Sequence, residues 1–202
     1  MRNGSIGLVA AILLLVCSCD SGGNGGSSGL KIALSFTPPP GGITDVAWLA
    51  GGGAAGGLLV VDIVARDISS DFDAFDVEVS FDPLIATAQS VVSGGLLESC
   101  SSTPVLKAEN VSNGNANLTG SILISEAFGG GSPPACTLAG ERTVARINFR
   151  AFGRGSSDLE FIGFNGDPNS PSGSRFYRRA PSVPQIPVQF FDSGAVIDVT
   201  RQ

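Results

Sequence analysis

The chain has 202 residues, enough for one domain with a substantial hydrophobic core once any leader is removed. Its 28 glycines, 12 prolines and 12 phenylalanines are typical of short strands joined by turns. The net charge of -6 argues against binding to nucleic acid or to an anionic membrane surface, since both require clustered lysine and arginine. The sequence contains no histidine, which argues against Ser-His and Cys-His nucleophiles and against most zinc sites. Composition therefore favours an all-β protein that is not an enzyme.

The N-terminus has the layout of a bacterial export signal. Arg2 precedes an apolar run that is shorter than the roughly 20 residues needed to span a bilayer. The stretch VCSC at residues 16–19 resembles a lipobox, in which a small residue precedes the cysteine that is lipidated, and Cys19 fits that position better than Cys17. We therefore predict a lipoprotein signal peptide over residues 1–18 and a lipid on Cys19. The alternative is an ordinary cleaved signal peptide with an incidental cysteine.

The segment after the predicted cleavage site is rich in glycine and serine. This composition predicts a flexible tether over residues 19–29, followed by the folded domain over residues 30–202. The leader predicts an exported protein anchored to a bacterial membrane, in the periplasm or at the cell surface. Asp20 resembles the inner-membrane retention signal of enteric lipoproteins, but other lineages sort by other rules, so the choice of membrane stays open.

From Leu30 onward, apolar and polar residues alternate in short segments separated by glycine- and proline-rich turns. These segments include LKIALSF, LLVVDIVARD, DAFDVEVSF, NLTGSILISEAF, TVARINFRAF, DLEFIGF and GAVIDVT. About nine strands at this spacing predict a β-sandwich. Residues 37–57 are expected to form a loop with a short strand at its centre, and residues 165–187 a second long loop.

The strand DAFDVEVSFDP, residues 73–83, carries an outward polar row of Asp76, Glu78 and Ser80 opposite inward apolar residues. Successive outward carboxylates would stand about 7 Å apart, a separation that a catalytic pair can have. Alternation alone predicts a sheet face whose carboxylates are solvated. We therefore predict no catalytic residues here, and the row is either solvated or a docking surface.

Two clusters of Asp and Asn are weak candidates for calcium, because oxygen ligands suit a hard cation. The residues are Asp71, Asp73 and Asp76 in DFDAFD, and Asn165, Asp167 and Asn169 in NGDPN. Neither cluster has the glycine and glutamate spacing of an EF-hand loop, and such residues stabilise turns without metal. Turn chemistry is therefore favoured, and no cofactor or metal is predicted.

The cysteines Cys100 and Cys136 lie in loop-like settings, SCSS and PACT. The leader predicts an oxidising compartment, where such a pair forms a disulfide. A metal pair is disfavoured, because neither cysteine is in a CxxC motif and no histidine is available.

Two segments later in the chain are basic. The strand TVARINFRAF, with the Arg142 that precedes it, is predicted to present an outward row of Arg142, Val144, Arg146, Asn148 and Arg150, with a solvated face as the default interpretation. The segment SRFYRRAPS, at residues 174–182, interleaves arginine with aromatic residues, a pattern that suggests nucleic acid or an anionic glycan. A protein-binding loop or a packed strand flank is favoured, because the patch is short and the predicted compartment excludes nucleic acid.

The order of these segments resembles a cohesin domain. The segment LLVVDIVARDISSDFDAFDVEVSFDPLIATAQSVVSGGLL runs strand, turn, strand, aromatic-Asp-Pro, strand, then Gly and Leu, as in the first half of a cohesin. ERTVARINFRAFGRGSSDLEFIGF resembles the later cohesin strands, and GAVIDVT resembles the closing one. The resemblance implies a jelly-roll sandwich of about nine strands. It also implies a noncatalytic module that binds dockerins through the sheet containing Asp76, Glu78 and Ser80, with the basic row on the opposite sheet.

These observations predict a membrane-tethered, noncatalytic module that attaches to a protein partner, dockerin-bearing or other, at the cell envelope. The alternative is a carbohydrate-binding module linked to polysaccharide binding or degradation, since such modules share the sandwich. Sugars stack on aromatic rings, yet the chain has one Trp, Trp48, and one Tyr, Tyr177, besides phenylalanines that mostly point inward. This scarcity favours a protein partner over a glycan.

Overall fold

The protein is an all-β chain, as its composition predicts. The computed structural model describes residues 15–18, 30–55, 58–115, 118–163, 173–179, 185–191 and 194–201. Within these ranges no helix is long and apolar enough to cross a membrane. Cys19 and the second calcium candidate, Asn165, Asp167 and Asn169, lie outside the described residues.

Fourteen strands occur in the described part of the chain, more than the nine or so predicted. They are β1 (Leu15–Ser18), β2 (Leu30–Ser35), β3 (Val46–Ala55), β4 (Leu58–Arg66), β5 (Ala74–Phe81), β6 (Ala86–Ser93), β7 (Val105–Ser112), β8 (Gly120–Phe128), β9 (Glu141–Ala151), β10 (Gly155–Phe161), β11 (Arg175–Tyr177), β12 (Gln185–Ile186), β13 (Gln189–Phe191) and β14 (Ala195–Arg201). Strands β11, β12 and β13 have only two or three residues, too few for alternation to be visible in the sequence. Strand β1 lies in the segment predicted as signal peptide.

The strands form two sheets, which confirms the predicted sandwich. In the larger sheet the order is β1-β2-β14-β10-β5-β8-β7. Strand β8 pairs along the whole of β5, so β10 and β11 share the other edge of β5, and β12 pairs with β11. The smaller sheet has the order β13-β3-β4-β9-β6, and only its β13–β3 pair is parallel among the described strands.

The hydrophobic core lies between the two sheets and follows the predicted alternation. Phe75, Val77, Val79 and Phe81 of β5 are each at most 1% exposed. The Phe81 ring meets Phe149 of β9 edge to face, with ring centroids 5.3 Å apart, and so joins the two sheets. Burying each such side chain stabilises the fold by about 1.5 to 3 kcal/mol.

Strand β3 corrects the prediction of a loop with a short central strand over residues 37–57. It pairs with β4 along its length, with a bulge between Gly51 and Gly53. The glycines that suggested a loop instead allow close packing, because a Cβ on Gly52 would lie 2.6 Å from the Val60 side chain. Trp48 of this strand is 4% exposed and packed.

Strand β9 corrects one member of the predicted outward basic row. The register with β4 shifts between Ile63, paired with Ala145, and Val64, paired with Thr143. This bulge leaves Val144 without a partner on β4 and turns its side chain inward, where it is 0% exposed. Sequence alternation cannot reveal a bulge, because the pattern of polar residues continues through it.

The predicted disulfide between Cys100 and Cys136 is confirmed. Their Cα atoms are 5.5 Å apart, and the bridge links the turn after β6 to the segment between β8 and β9. Cys136 also exchanges two backbone hydrogen bonds with Phe72, at 2.8 and 2.9 Å. Closing a loop of 36 residues stabilises the fold by about 4 kcal/mol in the chain-entropy model.

Candidate partner-binding face

The outer surface of the larger sheet around β5 is the candidate site, and we call it the β5 face. It is formed by Asp76, Glu78 and Ser80 of β5, Leu106 and Ala108 of β7, Ser125 and Ala127 of β8, Asp158 and Glu160 of β10, and Arg175 and Tyr177 of β11. Directly opposed residues in neighbouring antiparallel strands point to the same side of a sheet. Ser125 and Arg175 both lie opposite Asp76, and Glu160 lies opposite Ser80, so these side chains share one surface.

Asp76 is buried on this face by an ion pair with Arg175. Its Oδ2 accepts a hydrogen bond from Arg175 Nε at 2.8 Å, and the two residues are only 4% and 6% exposed. Strand pairing positions the arginine, because Arg175 lies opposite Asp76 in the β5–β11 register. The first carboxylate of the predicted polar row therefore holds β11 against β5.

Glu78 and Ser80 also bond to neighbouring segments. The Glu78 carboxylate accepts the Gly173 amide N–H at 2.9 Å, and its backbone N–H donates to the Ser174 hydroxyl at 3.0 Å. The Ser80 hydroxyl donates to the Glu160 carbonyl at 3.3 Å. Both residues are only partly exposed. Together with the Asp76–Arg175 ion pair, these hydrogen bonds give every member of the polar row a partner within the fold. Its predicted docking role stays a prediction.

Asp71 and Asp73 of the first calcium candidate also lie against arginines. Asp71 pairs with Arg178 at 2.9 Å, and the fully buried Asp73 pairs with Arg179 at 3.1 Å. The Arg179 backbone N–H donates to Asp73 Oδ1 as well, at 3.1 Å. A cation at these carboxylates would have to displace guanidinium groups. The described residues include no group of three or more acidic or cysteine side chains placed to hold a metal ion.

Two motifs that looked separate in the sequence therefore form one structure. The acidic segment DFDAFD and the basic segment SRFYRR make three Asp–Arg pairs between residues 99 to 107 positions apart. We call these three pairs the Asp–Arg clamp. Sequence reasoning missed it, although the equal number of opposite charges in the two segments was a usable signal. The basic segment is a strand flank, one of the two interpretations favoured for it.

Tyr177 lies beside the clamp on the β5 face. The Arg175 guanidinium carbon is 4.7 Å from the centre of its ring, within the range of a cation–π contact. Burial, and secondarily the Asp76 charge, raises the pKa of Tyr177. The side chain therefore stays a neutral phenol, with a half-buried ring and a polar tip.

An apolar groove of about 190 Å³ opens at this end of the β5 face. Leu106, Ala108, Ala127 and Tyr177 line it, together with the polar residues Lys107, Ser125 and Glu126. Leu106 is 62% exposed, so a large apolar side chain is open to a partner at this end of the β5 face. Sequence analysis missed these β7 residues, because VLKAENVS does not alternate like a half-buried strand.

An acidic groove of about 470 Å³ opens at the other end of the β5 face. Its walls include the carboxylate residues Asp82, Asp158 and Glu160, and two leucines, Leu84 and Leu118, that are 53% and 63% exposed. Asp82 accepts the Leu84 backbone N–H at 2.8 Å and so stabilises the local turn. No lysine or arginine of the described residues forms a salt bridge with Asp158 or Glu160.

A buried carboxylate lies on the inner side of the sheet, at the level of the apolar groove. Glu126 of β8 is 2% exposed, and its Oε2 has no hydrogen-bond partner among the described residues. Lys107, opposite it on β7, contacts Glu98, donates to the Ser93 hydroxyl at 2.8 Å, and is 4.0 Å from Glu126 Oε1. Burial raises the pKa of Glu126.

The opposite face carries the basic row, on the smaller sheet as expected. One of its three arginines has an acidic partner among the described residues, because Arg146 pairs with Asp62 at 2.7 Å. Arg66 of the next strand pairs with Glu141 and lies 4.8 Å from the centre of the Trp48 ring. This face is therefore less basic than the row of arginines suggests.

Comparison with known proteins identifies the fold. No family model matches the chain, and no curated protein matches it. Among solved structures, a type II cohesin domain from the cellulosome of Acetivibrio cellulolyticus matches with a TM-score of 0.54 at 14% identity, covering 76% of this chain and 95% of that one. The chain has a cohesin fold. The resemblance noted in the sequence is confirmed to that extent.

Two further cohesin structures from Acetivibrio cellulolyticus agree. The second type II cohesin module of the adaptor ScaA scaffoldin matches with a TM-score of 0.53 at 14% identity, covering 72% of this chain and 85% of that one. A type II cohesin–X-dockerin complex with a mutated interface matches with a TM-score of 0.51 at 14% identity, covering 72% and 93%. At this identity the similarity establishes the fold, and function has to be argued from the site.

Proposed function

We propose that this chain is a noncatalytic protein-binding module that docks a dockerin-type partner on the β5 face. The observation that carries the proposal is the exposed Leu106 and its apolar groove on an open sheet of a cohesin fold. Exposed apolar anchors surrounded by polar groups are typical of protein interfaces. A cohesin of similar fold occurs in a complex with an X-dockerin, which supports the choice of partner class.

The polar row supports a binding role over a catalytic one. A general acid or nucleophile has to reach its substrate, but Asp76 is covered by Arg175 and Glu78 bonds to the Gly173 amide. The chain also lacks histidine, the most common general base. The face is therefore better suited to holding a partner than to transforming a substrate.

The polysaccharide-binding alternative has less support from the aromatic residues. Trp48 is 4% exposed and covered by Arg66, so it offers no stacking platform. Of the described aromatic side chains, Phe152 is the one with a large exposed surface, at 51%. Retention of the chain on a polysaccharide-affinity gel, without binding to any dockerin, would favour this alternative.

Titration of the chain with a panel of purified type I and type II dockerin modules, followed by calorimetry, tests the proposal. We expect at least one module to bind and Leu106→Glu to abolish binding, because a charge would enter the apolar groove. Val92→Glu is the matched control, since Val92 is 52% exposed on β6 of the opposite sheet. Equal loss of binding in both variants would contradict docking on the β5 face.

The anchoring role rests on the leader and on Cys19. The proposal includes export, cleavage before Cys19 and lipidation of that cysteine, which places the module at a bacterial membrane. Cleavage there would remove β1 and leave β2 as the edge of the larger sheet. Labelling with an alkyne fatty acid in a bacterial host should mark the wild type and Cys17→Ala but not Cys19→Ala. Label that persists in Cys19→Ala would contradict the anchor.

A further inference from the structure

The two ends of the β5 face have different chemistry. The end near the start of β5 has the apolar groove, with Leu106 62% exposed beside Ala127 and Tyr177. The end near the close of β5 has the acidic groove, with Asp158 and Glu160 on its wall. A partner that covers the whole face therefore meets an apolar surface at one end and negative charge at the other.

The strand register sets the distance between these ends. Ala127 and Tyr177 both lie opposite Ala74, whereas Glu160 lies opposite Ser80. Ala74 and Ser80 lie on one strand, and their separation in β5 corresponds to roughly 20 Å at about 3.3 Å per residue. An α-helix covers that length in about 13 residues.

The acidic groove is complementary to lysine or arginine. Its carboxylates Asp158 and Glu160 form no salt bridge with a described lysine or arginine, so a partner cation can satisfy them. The exposed Leu84 and Leu118 offer apolar surface for the methylene stem of such a side chain. A hydrophobic side chain in this groove would desolvate those carboxylates without pairing them, and an acidic side chain would be repelled by them.

We propose that the partner segment is bipolar, with an apolar side chain in the Leu106 groove and, about 20 Å away, one or two lysines or arginines in the acidic groove. This inference rests on the proposed function, because it assumes that the β5 face is where the partner docks. It adds what the partner must carry, and it makes Asp158 and Glu160 the residues that determine specificity.

A set of helix-favouring synthetic peptides tests the inference directly. The probe carries two leucines at one end and two arginines at the other, about 13 residues apart. Control peptides replace the arginines with glutamates, replace the leucines with serines, or halve the spacing. Fluorescence anisotropy with the full chain should show binding of the probe and at least tenfold weaker binding of each control. Equal binding of the glutamate peptide, or no binding of the probe, would overturn the inference.

Variants of the protein test whether Asp158 and Glu160 are the carboxylates that bind the basic end of the probe. Asp158→Asn with Glu160→Gln should weaken probe binding about tenfold at low salt, because two ion pairs with the probe are lost, and the effect should shrink as salt screens these charges. Single variants allow a matched comparison, because Glu160→Gln and Glu109→Gln remove the same charge. Glu109 lies opposite the inward Ile124, so its variant should leave binding unchanged. Equal effects of these two substitutions would contradict a specific site.

The same variants separate this inference from the proposed function. Dockerin affinity that is unchanged by Asp158→Asn and Glu160→Gln but lowered by Leu106→Glu would support docking on the β5 face. The same result would overturn the bipolar partner. Binding of the bipolar peptide without binding of any dockerin would support the bipolar partner and contradict a dockerin as that partner. Salt-sensitive dimerisation of the chain, lost in the Asp158 and Glu160 double variant, would identify a second copy as the occupant and overturn the inference.

Discussion

The two ends of β5 use the same residue type in different ways. Near its start, the carboxylates of Asp71, Asp73 and Asp76 each lie against an arginine of one later segment. Near its close, Asp158 and Glu160 line an open groove without such a partner among the described residues. The first group joins strands and the second is available to a ligand, so the role of a carboxylate depends on whether the fold brings an arginine to it.

The largest expected effect comes from breaking the clamp at Asp76. Asp76→Ala should lower the free energy of unfolding by about 3 to 5 kcal/mol, because it leaves the Arg175 charge buried without its carboxylate. Chemical denaturation monitored by tryptophan fluorescence measures this change. The control is the double variant Asp76→Leu with Arg175→Met, which removes both charges and should recover most of the stability. A single variant as stable as the wild type would show that the clamp is not structural.

Glu126 can be compared with the buried aspartates of the clamp, because it is a buried carboxylate without an arginine partner among the described residues. Burial raises its pKa above the ordinary 4.5, so the folded state holds the proton more tightly than the unfolded state does. The stability from this group is fully present below the unfolded pKa and is lost as the pH rises through the folded pKa.

Glu126→Gln should therefore stabilise the protein at neutral pH, by about 1 to 3 kcal/mol if the lone Oε2 carries the full desolvation cost. The advantage should shrink as the pH falls toward 4.5. Melting temperatures across this pH range measure it, with Glu160→Gln as the control, because Glu160 is exposed and forms no salt bridge with a described cation. A constant difference between wild type and Glu126→Gln at every pH would exclude titration of Glu126 as the cause.

A smaller effect is expected at the outer pair of the clamp. The Asp71 side chain is 55% exposed and that of Arg178 34%, so solvent and salt screen their attraction. Asp71→Asn should cost no more than about 1 kcal/mol, and less at high salt. Denaturation curves at low and high ionic strength measure both points. A cost as large as that of Asp76→Ala would mean that exposure does not set the strength of these pairs.

The smallest effect on stability is expected at the acidic groove. Asp158→Asn with Glu160→Gln should change the free energy of unfolding by no more than about 0.5 kcal/mol, because neither carboxylate pairs with a described cation. The same variant is the one expected to weaken partner binding. Destabilisation comparable with that of the clamp would erase the distinction between the two ends of β5.

Sequence patterns predicted much of this fold, because they reflect local properties. The inward positions of Phe75, Val77 and Phe81 follow from an alternation that each strand carries by itself. The disulfide between Cys100 and Cys136 followed from the number and setting of the cysteines, and the resemblance to cohesins followed from the order of strands.

The errors and omissions occur where a neighbouring strand decides the outcome. Val144 is buried because of a bulge in the pairing of β9 with β4. Strand β3 continues through its glycines because their lack of a side chain lets its backbone pack closely against the side chains of β4. Strand β7, which carries Leu106, pairs only with β8 among the described strands, and its own residues do not alternate. None of these pairings can be read from a short window of sequence.

The sequence by itself determined that the chain is an all-β sandwich, which side of β4, β5 and β8 faces the core, and which cysteines join. Tertiary structure alone decided the environment of the outward side chains. A strand's period is local, whereas the neighbour of an outward residue is whichever segment the sheet places beside it. Arg175 lies 99 residues from Asp76 in the chain, yet strand pairing brings them to 2.8 Å. That is why acidic residues form ion pairs in the clamp at one end of β5 and line an open groove at the other.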